Sequence, residues 1–189
     1  MVVDTLLASR VDQGDPIRVG LVGAGVAARA IALHLVDAVP GIRLIAIANR
    51  TVAHAKRAFA EAGYADVAEV SSPEAMDRAI ERGQRAVTAD PAVLCESTTL
   101  DVMVEATGTI EFAARVICRA LERAKPVVMA NAELDATVGP SLALRARRQG
   151  LVLTNTDGDE PGVIVILGPA RMDYNVNVGL LKYINHLLK

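Results

Sequence analysis

The sequence predicts an α/β fold: a doubly wound, mostly parallel sheet with helices on both faces, followed by a short C-terminal appendage. Two observations predict it. Short aliphatic runs of Val, Ile, Leu and Ala alternate with stretches of helical periodicity, the pattern of strands covered by helices on both sides. The first such run, residues 17–22, ends in Gly23-Ala24-Gly25 and passes directly into an alanine-rich helical stretch. With 189 residues, 52% of them hydrophobic, the chain can bury one generous core.

Residues 1–15 read as a short amphipathic helix with Val3, Leu6, Leu7 and Val11 on its apolar side, broken by Gly14-Asp15-Pro16. Residues 17–22 form the first strand. The turn after it carries the strand–turn–helix fingerprint of a Rossmann-type dinucleotide-binding unit, with Ala28 in the third glycine place. Gly23 permits a tight turn off the strand, Gly25 lets the backbone approach a pyrophosphate, and Ala28 lets a helix over 26–38 lie close to the sheet. Phosphates would then meet free N–H groups at the positive end of that helix. Gly23, Ala24, Gly25, Val26 and Ala27 are therefore candidate cofactor contacts. Pro40-Gly41 ends the helix, and residues 42–48 form a second, nearly continuous apolar strand.

The turn leaving that second strand bears on cofactor choice. NAD sites usually place an Asp or Glu there to accept hydrogen bonds from the adenosine ribose. This chain has Asn49-Arg50-Thr51. No carboxylate stands in this turn to repel a 2′-phosphate, and Arg50 supplies a planar cation for one, so NADP is favoured over NAD. Alternatively, Arg50 is an ordinary exposed charge and Thr51 simply caps the next helix.

That helix spans 52–62 and ends at Gly63. Ser72-Pro73-Glu74 opens another, running to about Arg82, with a capping serine and a proline in the first turn. Residues 86–88 read as a short strand, and Asp90-Pro91 opens one more helical turn. Residues 101–108 form a strand ending in Ala106-Thr107-Gly108, small residues that leave room for the nicotinamide half of a dinucleotide. Glu105 either contacts the cofactor or points to solvent. A helix then runs from Glu111 to Ala124. Lys125 precedes the next strand and so lies at the wrong end of the sheet for catalysis, whereas Asn131 and Glu133 follow it at the right end. A helix over 140–149 starts at Pro140. Residues 151–154 make a sixth strand, delivering Asp157, Asp159 and Glu160 to the same edge. Those three carboxylates suit either a divalent cation or a solvated turn, and no metal ligand set is assigned.

Composition narrows the function. A net charge of −2 gives no footprint for nucleic acid or an anionic membrane. No apolar run approaches the roughly 18 residues that span a bilayer. The N-terminus does not read as a signal peptide, and the expected compartment is the cytoplasm. Cys95 and Cys118 lack metal-site spacing, and Cys118, on the apolar stripe of its helix, is expected in the core. His34 and His54 read as structural.

Together, Gly23-Ala-Gly-Val-Ala-Ala, Asn49-Arg50, Val104-Glu-Ala-Thr-Gly and Val128-Met-Ala-Asn-Ala-Glu resemble the cofactor domain of homoserine dehydrogenase-like NAD(P)-binding oxidoreductases. Asn131-Ala-Glu133-Leu-Asp135 and Gly158-Asp-Glu-Pro161 resemble the deoxyxylulose-phosphate reductoisomerase-like branch of that group. The chain departs from true homoserine dehydrogenases in carrying Ala132-Glu133 where they place a lysine. The resemblance implies an NADP(H)-dependent oxidoreductase, or its cofactor-binding domain, moving a hydride to or from a small carbonyl or alcohol substrate.

The expected organisation is an NAD(P)-binding domain over residues 1–163 and a tail over 164–189, with a terminal helix, left from a substrate or dimerisation domain. Asn131 joins the candidate cofactor contacts, as do Asn49, Arg50, Thr51, Ala106, Thr107 and Gly108. Glu133, Asp159 and Glu160 are the candidate catalytic residues. The apolar tail suits a homodimer. Two other functions fit less of the sequence. One is a non-catalytic NADP(H)-binding module or sensor subunit. The other is an S-adenosylmethionine-dependent methyltransferase, which wants an acid where Asn49 stands.

Overall fold

The computed structural model describes residues 2–37 and 40–155. Strands β1 (Ile17–Val22), β2 (Ile42–Ala48), β3 (Val67–Glu69), β4 (Arg85–Thr88), β5 (Val102–Glu105), β6 (Val127–Met129) and β7 (Leu153–Asn155) form one sheet in the order β3-β4-β2-β1-β5-β6-β7. Every neighbouring pair runs parallel. The helices are α1 (Val2–Asp12), α2 (Val26–Asp37), α3 (Val52–Glu61), α4 (Pro73–Glu81), α5 (Pro91–Glu96), α6 (Ile110–Glu122) and α7 (Ala132–Arg148).

Each face of the sheet has its own core. On one face Val19, Leu21, Leu44 and Ile47 of the central strands pack under Ala28, Ile31 and Leu35 of α2 and Ala55 and Phe59 of α3. On the other, Ala46, Ala86, Met103 and Val127 pack under Met76 of α4, Leu94 of α5, Ile117 of α6 and Leu134 of α7. The aliphatic runs are near-continuous because both faces are covered and solvent sees neither. Ser72 caps α4 by accepting from Ala75 N at 3.2 Å, and Asp90 caps α5 by accepting from Ala92 N at 2.9 Å.

Four expectations need correcting. The sheet has a further strand, β3, short and half-exposed at the edge and too brief for a periodic signal. α7 begins at Ala132, not at Pro140, which lies inside the helix. Asn131 starts it by accepting from Leu134 N at 3.0 Å, and Glu133 and Asp135 suit the positive end. Pro140 removes one helical hydrogen bond on an exposed side, where water can replace it. In α1, Leu7 is buried but Val11 is 49% exposed, so the apolar side is narrower than its sequence suggests. Cys95, not Cys118, is the core thiol, and burial pushes it up to about 11, while Cys118 is half-buried beside Arg145. The proposed terminal helix and the carboxylates Asp157, Asp159 and Glu160 lie outside the described residues.

The strand order sets the site. From β1 the chain moves outward through β2 towards one edge, then returns to lay β5 on the other side of β1. The segments leaving β1 and β5 therefore diverge and leave a crevice at their carboxyl ends.

Candidate functional site

Gly23 leaves β1 at this crevice. Gly23 N donates to Ala48 O at 2.8 Å and Ala106 N donates to Val22 O at 2.9 Å, which draws the exits of β2, β1 and β5 together. Gly23 has φ +115°, and a Cβ there would stand 2.7 Å from Ala106 O. Two residues on, a Cβ at Gly25 would meet nothing within 4 Å among the described residues. Ala24 is buried, whereas Gly25, Val26 and Ala27 are exposed, Val26 by 80%. The first turn of α2 thus presents its free N–H groups to open space, an arrangement that suits a phosphate.

From Gly23 a groove of about 430 Å³ runs along the sheet edge, and Gly25, Val26 and Ala27 are not among its lining residues. It brings together Gly23, Asn49, Arg50, Thr107 and Gly108, all singled out in the sequence. Asn49 is anchored at both ends: its N–H donates to Thr88 O at 3.0 Å and its Nδ2 to Thr51 O at 2.9 Å. Thr51 sits at the N-cap position of α3, but its side chain caps nothing. Arg50 is exposed on the groove wall and makes no ion pair among the described residues. Pro91, Thr109, Glu111, Phe112 and Arg115 also line the groove. Sequence reasoning missed these five, because the packing of α5 and α6 brings them there rather than any local motif.

Glu105 neither meets the groove nor points to solvent. It is 1% exposed and turned under the Thr107 turn, where Oε1 accepts from Thr107 N at 2.7 Å and from the Thr107 hydroxyl. Its other oxygen, Oε2, has no partner among the described residues. Burial pushes its acidity below that of an ordinary carboxyl, raising its pKa against the opposing hydrogen bonds from Thr107. Asn131 completes this floor: Nδ2 donates to Thr107 O at 2.8 Å while Oδ1 caps α7, so both of its polar ends are committed within the protein. Ala106 is buried behind the turn, Gly108 exposed in front of it. Glu133 is exposed on the first turn of α7. Lys125 lies at the opposite end of the sheet, buried, its Nζ donating to Leu100 O at 2.8 Å and its pKa lowered by desolvation.

Glu105→Gln tests this reading of the carboxyl. A folded-state pKa above the unfolded value means that the stabilising contribution is present at low pH and is lost as pH rises through the folded pKa. Glutamine keeps an acceptor for Thr107 N and does not ionise. The variant should match or exceed the wild type at neutral pH, by less than about 1 kcal/mol, and should lose the decline with rising pH. Urea unfolding from pH 4.5 upward checks it. A wild-type stability that climbs through that range would overturn the assignment.

Parallel order, switch point and glycine turn define a Rossmann-type α/β domain. Comparison with known proteins agrees with that class. A profile of the shikimate/quinate 5-dehydrogenase family matches residues 5–93. No curated protein matches the sequence. Among solved structures, a 3-ketoreductase from Actinomadura kijaniata, in complex with NADP and TDP-benzene, is 29% identical with a TM-score of 0.53, over 74% of this chain and 38% of that one. A homoserine dehydrogenase from Thiobacillus denitrificans is 23% identical with a TM-score of 0.57, over 80% and 32%. A myo-inositol dehydrogenase from Lactobacillus casei, in complex with NAD(H) and myo-inositol, is 15% identical with a TM-score of 0.56, over 74% and 36%. The last two show the shared fold. The chain spans about a third of the length of these proteins. Among the described residues no helix is long and apolar enough to cross a membrane.

Proposed function

We propose that this chain is the cofactor-binding portion of an NADP(H)-dependent oxidoreductase of the homoserine dehydrogenase-like kind, acting on a small carbonyl or alcohol. The observation that carries it is the groove at the switch point, which Gly23, Asn49, Arg50, Thr107 and Gly108 line together. The residues fit the cofactor: no described residue comes within 4 Å of a Cβ at Gly25. When bound, the cofactor supplies the hydride. The first turn of α2 holds the pyrophosphate, Arg50 takes the 2′-phosphate, and Thr107 and Gly108 floor the nicotinamide side. Asn131 and Glu105 act beneath that floor by fixing the Thr107 turn. Glu133, Asp159 and Glu160 are proposed contacts to substrate, and residues 164–189 the proposed dimer contact of a cytoplasmic enzyme. The resemblance to the reductoisomerase-like branch rests on the helix that precedes the first strand, on Asn131, Glu133 and Asp135, and on residues 158–161.

A non-catalytic NADP(H)-binding module is the second reading. It is favoured by the groove's lining among the described residues, where the carboxylate of Glu111 is paired with Arg115 and no His or Lys stands beside Thr107 and Gly108. Calorimetry with NADPH, NADH and S-adenosylmethionine separates the cofactor classes. NADPH oxidation across a panel of aldehydes and ketones then separates enzyme from module. Arg50→Ala should weaken NADPH about tenfold, the worth of roughly one charge-assisted hydrogen bond, and leave NADH within about twofold. Equal loss for both cofactors would remove Arg50 from the phosphate site.

A further inference from the structure

The groove wall supplied by the first turns of α6 carries three side chains of distinct chemistry: Glu111, Phe112 and Arg115. Arg115 Nη1 donates to Glu111 Oε1 at 2.8 Å, with Arg115 69% and Glu111 83% exposed. An exposed i,i+4 pair of this kind is weakly held, and a better anion can take the guanidinium from it. Phe112 is 38% exposed despite its size, and Pro91 at the start of α5 lines the same cavity. An aromatic face left open to a cavity offers a purine a stacking surface. Among the described residues the cavity is therefore lined by two arginines from different elements, Arg50 and Arg115, against the single carboxylate residue Glu111.

We infer that α6 reads the adenosine end of the cofactor, with Phe112 as the platform for the base and Arg115 as a second cation, beside Arg50, for the 2′-phosphate. Glu111 is the counter-ion which that phosphate displaces. This rests on the proposed cofactor reading and names the residues that decide between its two forms. Discrimination is a difference of affinities, and the ion pair supplies one. A ligand with a free 2′-hydroxyl leaves Glu111 on Arg115 and gains nothing from either residue. A ligand with a 2′-phosphate replaces one carboxylate by a dianion whose oxygens match the planar guanidinium. Phe112 meets the base, which is the same in both ligands, so it contributes affinity without preference.

Calorimetry on the full chain tests this, with NADPH, NADH, AMP and 2′-phosphorylated AMP as probes. Arg115→Ala should weaken NADPH and 2′-phosphorylated AMP about tenfold and leave NADH and AMP within about twofold. Glu111→Gln should strengthen NADPH roughly two- to fivefold, by freeing Arg115, with NADH unchanged. Phe112→Ala should weaken all four ligands by a similar factor of about ten. The groups exchanged are exposed and carry no part of the core, and circular dichroism of each variant will show that the fold persists. If Arg50→Ala lowers NADPH affinity while Arg115→Ala does not, the inference fails and the cofactor reading stands. If the wild type binds neither dinucleotide, the cofactor reading itself fails and takes this one with it.

Discussion

Gly23→Ala is expected to cost about 3–4 kcal/mol of stability, lowering the melting temperature by roughly 10 °C, and to weaken NADPH binding more than about tenfold wherever the fold survives. Two independent costs meet at this residue. At φ +115° it lies in a region that L side chains rarely adopt. In addition, the new methyl would stand 2.7 Å from Ala106 O and 3.0 Å from Ala106 C. Those atoms are backbone and cannot swing aside as a side-chain tip would. Ala106 is held to β1 by its N–H on Val22 O at 2.9 Å, so relief requires β1 and β5 to part at their carboxyl ends. That parting displaces the Thr107 turn and the start of α2 together, which is why binding should fall along with stability. Gly25→Ala provides the contrast, since its Cβ meets nothing within 4 Å among the described residues. It should melt within about 1 kcal/mol of the wild type and still lose NADPH affinity, because the methyl enters the space assigned to the pyrophosphate. A Gly23→Ala protein that melts like the wild type would show that the strands do not approach this closely. Undiminished binding by Gly25→Ala would move the pyrophosphate off this turn.

These two glycines also show which parts of the fold a sequence can carry. The long buried strands β1 and β2 declare themselves, because a strand covered on both faces must be aliphatic throughout. The turn after β1 declares itself, because close approach excludes a side chain. β3 does not: Val67-Ala68-Glu69 is three residues at an exposed edge, where burial imposes no pattern. Pro140 misled for a physical reason, since proline favours a helix start yet is tolerated within an exposed side that water can satisfy. Glu105 was legible in principle: a carboxylate ending the run Val102-Met103-Val104 in a doubly covered sheet has nowhere to go but inward, and Thr107 follows at the spacing of a local hydrogen bond. Glu111, Phe112 and Arg115 were not legible. On the helix they are ordinary surface positions, and only the way α6 lies against β5 and α5 turns them into a groove wall.

Asp77→Ala should destabilise the fold by roughly 2–3 kcal/mol, although Asp77 touches neither the groove nor the central strands. It projects from α4 into the segment joining α5 to β5. There its carboxylate accepts from Ser97 Oγ at 2.5 Å, Thr98 N at 3.0 Å, Thr98 Oγ1 at 2.7 Å and Thr99 Oγ1 at 2.9 Å. Desolvation opposes the charge, but the hydrogen bonds from Ser97, Thr98 and Thr99 outweigh it and hold the pKa down to about 2, against 3.8 for an ordinary aspartate. Because the folded value is the lower one, the stabilisation is full above the unfolded pKa and is lost as pH falls through 3.8 towards 2. Solvent screening of this half-buried group leaves its pH-dependent part on the order of 1–2 kcal/mol. Acid unfolding followed by circular dichroism should therefore show a stability difference between wild type and Asp77→Ala at pH 7 that shrinks by that amount near pH 2. A difference that stays constant across the range would mean that the loss comes from packing and not from the charged network. The functional consequence follows from position. Ser97 closes α5, and Pro91 opens it as part of the groove wall, so releasing Ser97–Thr99 frees α5 at one end and loosens the wall at the other. NADPH and NADH affinity should fall together in this variant, by about two- to fivefold at temperatures where it remains folded. A change in their ratio would point instead to an effect on Arg50, Arg115 or Glu111, the side chains proposed to distinguish the cofactors.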